Sequence, residues 1–194
     1  MKTRHGRRRS GFTLVEILAV IAIVAILAAI LVPVVGSAKK TALKRRAMTE
    51  MNSIKVAAIE FQRDHRYMPW PAQGAGIYVG PDQWTTADDA TQIPVMAMLT
   101  GSNAMQKSYL QLPEKARRLT DSEANPPMRF LDPWKQHYLI GLDRNLDGAV
   151  QVAGTGVAAG DGQTVMERVL VVSLGPPGEN QPMKTFDVPA AAGP

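Results

Sequence analysis

The chain contains no cysteine and only three histidines among its 194 residues, which removes the basis for several kinds of catalytic site. Without cysteine there is neither a thiol nucleophile nor a disulfide. His5, His65 and His137 do not form the H-E-x-x-H pair of a zinc protease. Ser173 does not lie in a G-x-S-x-G segment, and the glycines near residue 156 do not open a helix after a strand, as a phosphate loop would. We therefore expect no catalytic residue and a protein that is not an enzyme.

Acidic residues are absent from the first eleven positions, which hold five of the chain's 22 lysines and arginines. The rest of the chain has 17 basic residues against 17 acidic ones, although the whole chain has a formal charge of +5. A basic surface for nucleic acid is therefore not indicated, and no nucleic-acid partner is expected. Basic residues ahead of an apolar segment instead favour an N-terminus in the cytoplasm.

An apolar segment follows, and Glu16 is the only charged residue between Phe12 and Val35. As a helix, this segment would be about 36 Å long, enough to cross a bilayer. A lone carboxylate in such a helix is costly, and side chains of this kind are usually functional. Two simple interpretations of the segment are a cleaved secretory signal and an uncleaved membrane anchor. The apolar core is longer than that of a signal peptide, and a plain export signal has no use for Glu16.

Residues Arg8–Leu18, RRSGFTLVEIL, resemble the class III signal of type IV pilins and pseudopilins, residue for residue. The resemblance implies that a prepilin peptidase cleaves between Gly11 and Phe12 and that the new amine of Phe12 is methylated. It also implies that Glu16 meets the Phe12 amine of a neighbouring subunit during assembly. Such a pair attracts strongly in low dielectric, but desolvation cancels much of the gain. It would therefore set the register between subunits more than it holds them together.

The same resemblance implies partners and a location. The partners would be the prepilin peptidase, copies of the chain itself, other pseudopilins and an assembly platform in the inner membrane. The protein would cross the bacterial inner membrane once, with its N-terminus in the cytoplasm and its head in the periplasm, and would enter a filament after processing. A second basic cluster, between Lys39 and Arg46, is interpreted as a solvated helix face.

The helix is expected to continue beyond the membrane segment, because apolar residues recur at spacings of three and four until Pro69. Charged residues, Glu50 among them, lie off this stripe. A separate second helix, after a break at 33–36, is the alternative. The stripe, which would face a soluble head, consists of Leu43, Ala47, Met51, Ile54, Ala58 and Phe61. We divide the chain into a leader (1–11), a membrane and filament-core helix (12–35), an amphipathic second half (36–66), a head (67–188) and a disordered tail (189–194).

The head is expected to be α+β, with helices first and a small antiparallel sheet after them. Helices are predicted within 91–99, beginning at Pro94, and within 107–119, whereas 67–89 is predicted to be loop. Strands are predicted over Gln136–Leu142, Ala149–Val152 and Val165–Leu174. Together with the long helix, this is the type IV pilin fold that the resemblance implies.

Two short segments of the head resemble major pseudopilins of type II secretion. Residues 132–138, DPWKQHY, resemble a D-P-W-G-x-P-Y segment, with Lys135 in place of glycine and His137 in place of proline. Residues 173–178, SLGPPG, resemble an S-x-G-x-D-G turn, with Pro177 in place of aspartate. Adhesive type IV pilins commonly close a C-terminal loop with a disulfide, which this chain cannot form. The resemblance therefore favours a secretion pseudopilin.

A metal site is suggested at one loop. Asp143, Asn145 and Asp147 fit the first half of an EF-hand calcium loop, in which alternate oxygens surround a hard cation. Similar pseudopilins often bind calcium in a C-terminal loop. The twelfth position is Gly154, which offers no carboxylate, so a calcium ion would need further oxygens, for example from Asp161. The alternative, which we favour, is a hairpin turn with Asx hydrogen bonds between two strands.

The resemblance favours a structural subunit of a type II secretion pseudopilus, which would assemble into a helical filament that drives protein export. A minor pilin of a type IV pilus or DNA-uptake system is an alternative that shares the features of the first 66 residues. An anchored envelope enzyme is a third hypothesis, and it would not need Glu16.

Overall fold

The computed structural model describes residues 13–71, 80–85, 89–112, 130–152, 162–178 and 182–185. The chain forms two compact units, Met1–Ala42 and Leu43–Pro194. The predicted tail at 189–194 lies outside the described residues, as do the predicted cleavage residues Gly11 and Phe12.

Helix α1 (Leu14–His65) is a single helix of 52 residues, so the break at 33–36 that the sequence left open is not found. Alanine recurs along the helix and offsets the many β-branched residues, which lower helix propensity slightly. The helix ends where Arg66 adopts a left-handed conformation (φ 67°) and donates its N–H to the carbonyl of Gln62 at 2.8 Å. Pro69 follows and cannot continue the helix.

The predicted apolar stripe is confirmed in the second unit. Its members are buried from Ala47 to Phe61, whereas Leu43 is half-buried. Ala57 joins them, and the members from Met51 to Phe61 pack with the apolar side chains of the head to form one core. The 3.6-residue period of the helix therefore places this stripe against the head, as the spacing predicts.

Glu50 is an exception to the predicted pattern. We expected it off the stripe with the other charged residues, but it is buried, with 8% of its surface exposed. Its carboxylate accepts a hydrogen bond from the Tyr138 hydroxyl at 2.6 Å and one from Arg46 Nε at 2.8 Å. Burial removes the Glu50 carboxylate from water, which is costly. The hydrogen bonds from the charged Arg46 and the polar Tyr138 offset this cost.

The strands are short and antiparallel. In chain order the elements that the structure describes after α1 are β1 (Gln83–Trp84), α2 (Asp89–Leu99), β2 (Leu139–Leu142), β3 (Val150–Gln151), β4 (Thr164–Val165), β5 (Val169–Ser173) and β6 (Met183–Lys184). Four of these described strands form one sheet in the order β1-β2-β5-β6, and β3 pairs separately with β4.

The central strands β2 and β5 are buried on both faces. Ile140 and Val171 face the core that contains the α1 stripe, whereas their neighbours Leu139 and Leu170 face a second cluster, built with Val150 and others of the β3–β4 pair. Burial on both faces explains why β5 is an unbroken apolar run and not an alternating one. The architecture is α+β, as predicted, and its layout is consistent with the type IV pilin fold.

Helix α2 begins at Asp89 and not at Pro94, which lies inside it. Proline has no N–H and is best tolerated in a first turn, which is why the sequence favoured a start there. The turn ahead of it is held by Gln92, which is buried and donates from Nε2 to the carbonyls of Phe130 (3.0 Å) and Tyr138 (3.3 Å). These partners are remote in sequence, so the extension of the helix was not predictable from local signals.

Three further element predictions were wrong. Residues 107–112 are not helical, because the Lys107 N–H donates to the side-chain oxygen of Asn103 at 3.2 Å and holds the chain in a loop. Residues 113–119 lie outside the described residues. Strand β1 falls in the segment predicted to be loop. The run Val165–Leu174 divides into β4 and β5, which belong to different sheets, because residues 166–168 turn the chain between them.

The two head segments that resemble pseudopilins lie together. Asp132 accepts a hydrogen bond from the Ser173 hydroxyl at 2.7 Å, and Gln136 Nε2 donates to the carbonyl of Gly175 at 3.0 Å. The other oxygen of Asp132 accepts the N–H groups of Trp134 (2.9 Å) and Gln136 (2.8 Å). Asp132 therefore closes its own turn and fixes that turn to the end of β5.

Candidate processing and assembly site

Thr13 and Glu16 form a capping box at the start of α1. The Glu16 N–H donates to Thr13 Oγ1 at 3.3 Å, and the Thr13 N–H donates to Glu16 Oε2 at 3.2 Å. The Thr13 hydroxyl donates to the same carboxylate oxygen at 3.2 Å. This reciprocal arrangement satisfies N–H groups that a helix start otherwise leaves unpaired. Glu16 therefore has a hydrogen-bonding role within its own chain.

We did not predict this role, although its signal is present in the sequence as T-x-x-E at 13–16, ahead of an apolar run. The role does not require a charge, because glutamine also serves at the third helical position of a capping box. Capping and charge are thus two separable properties of Glu16. An ion pair with a neighbouring amine, in contrast, requires the charge.

The side chains around Glu16 are apolar and exposed. From Leu14 to Val35, each large apolar side chain that the structure describes is more than half exposed. Within the described residues, α1 is the one helix long and apolar enough to cross a membrane. An apolar surface of this size is normally covered by lipid or by another protein.

The predicted processing residues Gly11 and Phe12 lie outside the described residues. Cleavage between them, methylation of Phe12 and the meeting of its amine with Glu16 therefore stay predictions. Of the predicted site residues in this part of the chain, the structure describes Glu16 and places it in the first turn of the helix.

The three candidate calcium ligands lie in one loop, between β2 and β3. Asp143 is fully buried and accepts the N–H groups of Asp147 (3.2 Å) and Gly148 (2.9 Å). Asp147 accepts the N–H of Ala149 at 2.9 Å and an N–H of the Asn145 amide at 2.8 Å. The Asn145 oxygen accepts the N–H of Asp147 at 3.0 Å. The loop is therefore closed by Asx hydrogen bonds, as expected for the turn.

The loop is not a hairpin, and this prediction was wrong. Strand β2 pairs with β1 and β5, whereas β3 pairs with β4 in a separate sheet. The loop thus carries the chain from one sheet to the other. Local turn signals, such as Asp-Gly between two strand-like runs, indicate where the chain bends but not which strands pair.

Asp82 also reaches this loop, and no local pattern predicts this contact, because 62 residues separate it from Arg144. Its carboxylate accepts the N–H of Arg144 at 3.3 Å and that of Gln151 at 3.4 Å. Burial raises the pKa of Asp82, and the nearby charges of Asp143 and Asp147 raise it further, whereas the two N–H groups lower it. Asp82 therefore adds a third carboxylate to the neighbourhood of the candidate calcium ligands.

The described part of the loop does not by itself make a calcium site. Its oxygens are of the type that calcium prefers, but they are already hydrogen-bonded within the loop, and calcium takes six to eight oxygens. Among the residues that the structure describes, no group of three or more His, Cys, Asp or Glu side chains is placed to hold a metal ion. Gly154 and Asp161 lie outside those residues. Calcium binding stays a prediction.

Comparisons with known proteins agree with the N-terminal features. Residues 6–32 match the family model of the prokaryotic N-terminal methylation motif. The chain is 34% identical over 73 residues to type II secretion system core protein G of Dickeya chrysanthemi. The aligned region covers 38% of this chain and 48% of that protein. It is 35% identical over 73 residues to the protein of the same name from Aeromonas hydrophila, covering 38% and 51%. No solved structure matches the chain significantly.

These matches confirm the resemblance to prepilin-type proteins and to type II secretion pseudopilins that the sequence predicts. The chain spans about half the length of the curated relatives it matches. A methylation motif followed by a membrane-type helix indicates a membrane-anchored protein. The activity and partners of the whole protein are taken up as proposals.

Proposed function

We propose that this chain is a structural subunit of a type II secretion pseudopilus. A prepilin peptidase removes residues 1–11, the amine of Phe12 is methylated, and the processed subunits assemble into a helical filament that drives protein export. The observation that carries the proposal is Glu16, which lies within the methylation motif, among exposed apolar side chains, and is the only charged residue between Phe12 and Val35.

The exposed apolar surface of α1 supports both stages of this life cycle. Before assembly, lipid covers the side chains from Leu14 to Val35, with the N-terminus in the cytoplasm and the head in the periplasm. After assembly, the same side chains pack against those of neighbouring copies, since apolar side chains suit either environment. The partners are then the peptidase, other pseudopilins and the inner-membrane assembly platform, and the chain has no enzymatic role of its own.

The charge of Glu16 has a specific part in this scheme. The Phe12 amine exists only after cleavage, so an ion pair between it and Glu16 of a neighbouring copy links assembly to processing. Because desolvation offsets much of the attraction, the pair selects the register of neighbours more than it stabilises the filament. Loss of the charge should therefore disorder or prevent assembly without unfolding the head.

The test separates the charge of Glu16 from its capping role. Glu16→Gln keeps a capping side chain and removes the charge, whereas Thr13→Val keeps the charge and removes the capping hydroxyl. We expect Glu16→Gln to abolish filaments, seen by electron microscopy of cells that carry the secretion machinery, and Thr13→Val to retain them. Filaments of Glu16→Gln indistinguishable from wild type would remove the proposed role of the charge.

Mass spectrometry of the mature protein tests the processing step directly. The expected N-terminus is a methylated Phe12. A terminus at Lys39 would instead mean cleavage as an ordinary secretory signal, and an intact leader would mean a simple anchor. Either of those results would contradict the proposed function.

A further inference from the structure

The turn between β4 and β5 projects an exposed side chain from the second unit. Met166 is 79% exposed, and we call residues 166–168 the knob. The two residues after it are held against α1, where Glu167 forms an ion pair with Lys55 and Arg168 Nη1 donates to Gln62 Oε1 at 3.3 Å. The knob therefore carries the exposed apolar side chain of Met166 on a turn that is already fixed in place. A fixed turn lowers the entropy cost of binding.

A groove lies elsewhere on the same unit, between α1 and the loop after α2. Its volume is ≈ 560 Å³. Its lining includes the buried Ala57 and also Val56, which has 55% of its surface exposed. We call this feature the groove; residues of α1 between Thr49 and Glu60 line one side of it, and Tyr109, Leu110 and Gln111 line the other.

The knob and the groove face different directions around α1. An α-helix turns by about 100° per residue, so the knob's contacts at Lys55 and Gln62 lie about 100–120° around the helix from Val56. Because Met166 is largely exposed, it does not fill the groove of its own chain. A contact between knob and groove would therefore join two copies head to tail.

The charges beside the two features are complementary. Lys55 neutralises Glu167, so the exposed Arg168 leaves the knob positively charged. The groove has Glu60 at its edge, partly exposed, while Lys107 near that edge is paired with Asp64. Complementary charge selects partners and register more than it adds affinity.

We propose that Met166 of one copy docks into the groove of the next, with Arg168 of the first against Glu60 of the second. This inference rests on the proposed function, since it supplies the head contact of the filament. A knob and a groove on different faces of one subunit make a heterologous contact, which propagates as an open helical assembly where its rotation does not close a ring.

Disulfide cross-linking tests the docking directly, because the natural chain has no cysteine. The full chain carrying Met166→Cys and Val56→Cys is expressed with its secretion machinery and oxidised in the cell envelope. We expect a ladder of dimers, trimers and longer species on a non-reducing gel. Each single variant should stop at dimers or monomers. The control pair Lys135→Cys and Val56→Cys, with Lys135 in an exposed turn, should give no ladder.

Charge reversal is the second arm. Glu60→Arg and Arg168→Glu should each lose filaments, and the chain carrying both substitutions should recover them, because the ion pair is restored with opposite polarity. Tryptophan fluorescence checks that each head is folded. A double variant that assembles no better than either single variant would contradict the docking.

The outcomes distinguish this inference from the proposed function. If the wild-type chain forms no filaments, both are wrong. If filaments form and depend on the Glu16 charge, but the Met166–Val56 pair gives no ladder, only the docking is wrong. A ladder together with charge rescue supports both.

Discussion

The Tyr138 hydroxyl donates a 2.6 Å hydrogen bond to the Glu50 carboxylate, joining α1 to the segment that leads into β2. Both side chains are buried, and Arg46 supplies the opposite charge at 2.8 Å. Burial raises the pKa of Tyr138, and the hydrogen bond to Glu50 raises it further, so the phenol stays protonated as a donor. The bond fixes a helix to a sheet through two residues 88 positions apart.

Tyr138→Phe should lower the free energy of unfolding by about 1–3 kcal/mol, because it leaves a buried carboxylate oxygen of Glu50 without its donor. Urea denaturation of the full chain in detergent, followed by tryptophan fluorescence, measures this loss, since all three tryptophans lie in the head. The control is Tyr109→Phe, which removes a hydroxyl bonded to the more exposed Asp64. Equal losses in the two variants would mean that the buried bond has no special weight.

Gly141→Ala should destabilise the sheet, because Gly141 lies opposite Trp84 in the β1–β2 pair. A Cβ at this position would come within 2.6 Å of the indole ring. The ring is held in place by a 2.8 Å hydrogen bond from its Nε1 to the carbonyl of Gln151. Overpacking of this kind costs about 1–3 kcal/mol, measurable by the same denaturation. Gly36→Ala, where a Cβ meets open space, should show no loss, and a loss at both positions would contradict the steric reason.

Lys135→Gly should stabilise the head. Lys135 has φ 67°, a left-handed conformation that costs a non-glycine residue about 1–2 kcal/mol. Glycine's greater freedom in the unfolded chain offsets part of this gain, so a net increase of up to about 1 kcal/mol is expected. Lys135→Ala should leave the melting temperature nearly unchanged. If alanine stabilises as much as glycine, the backbone conformation is not the cause.

The stability of the head should carry a pH-dependent contribution from Asp132. Burial raises its pKa above the ordinary value, although the bonds from Gln136 and Ser173 act in the opposite direction. The folded state therefore binds this proton more tightly than the unfolded chain, and the contribution is lost as pH rises through the folded pKa. From about pH 4 towards neutrality, wild type should lose stability relative to Asp132→Asn. The opposite trend in paired denaturation curves would reverse the assignment.

Removal of calcium should leave the head unchanged if the loop Asp143–Gly148 closes on its own hydrogen bonds. We expect the same melting temperature with and without a chelator. Asp143→Ala should lower it in both conditions, because the Gly148 N–H loses its acceptor and the Asp147 N–H keeps only the Asn145 oxygen. A clear fall on chelation in wild type that is absent from Asp143→Ala would instead establish a calcium site.

The helical features were predictable because they repeat locally. The lone charge at Glu16 and the apolar segment around it are contiguous in the sequence. The stripe from Ala47 to Phe61 follows a period of three to four residues, and the structure keeps it buried. The resemblance of Arg8–Leu18 to a methylation signal could likewise be recognised from the sequence, because its residues are contiguous. The capping box of Thr13 and Glu16 also has a local sequence pattern, T-x-x-E, although we did not predict it.

Tertiary structure decided what contiguous residues do not encode. It buried Glu50 against Tyr138, brought Asp82 to the calcium-like loop, and sent β2 and β3 to different sheets. Strand partners and buried polar pairs are chosen by the packing of the whole core, between residues far apart in the chain. The sequence alone therefore determined the apolar N-terminal segment and its single charge at Glu16. Packing alone determined how the second half of α1 is joined to the sheet of the head and which surfaces of the head stay exposed.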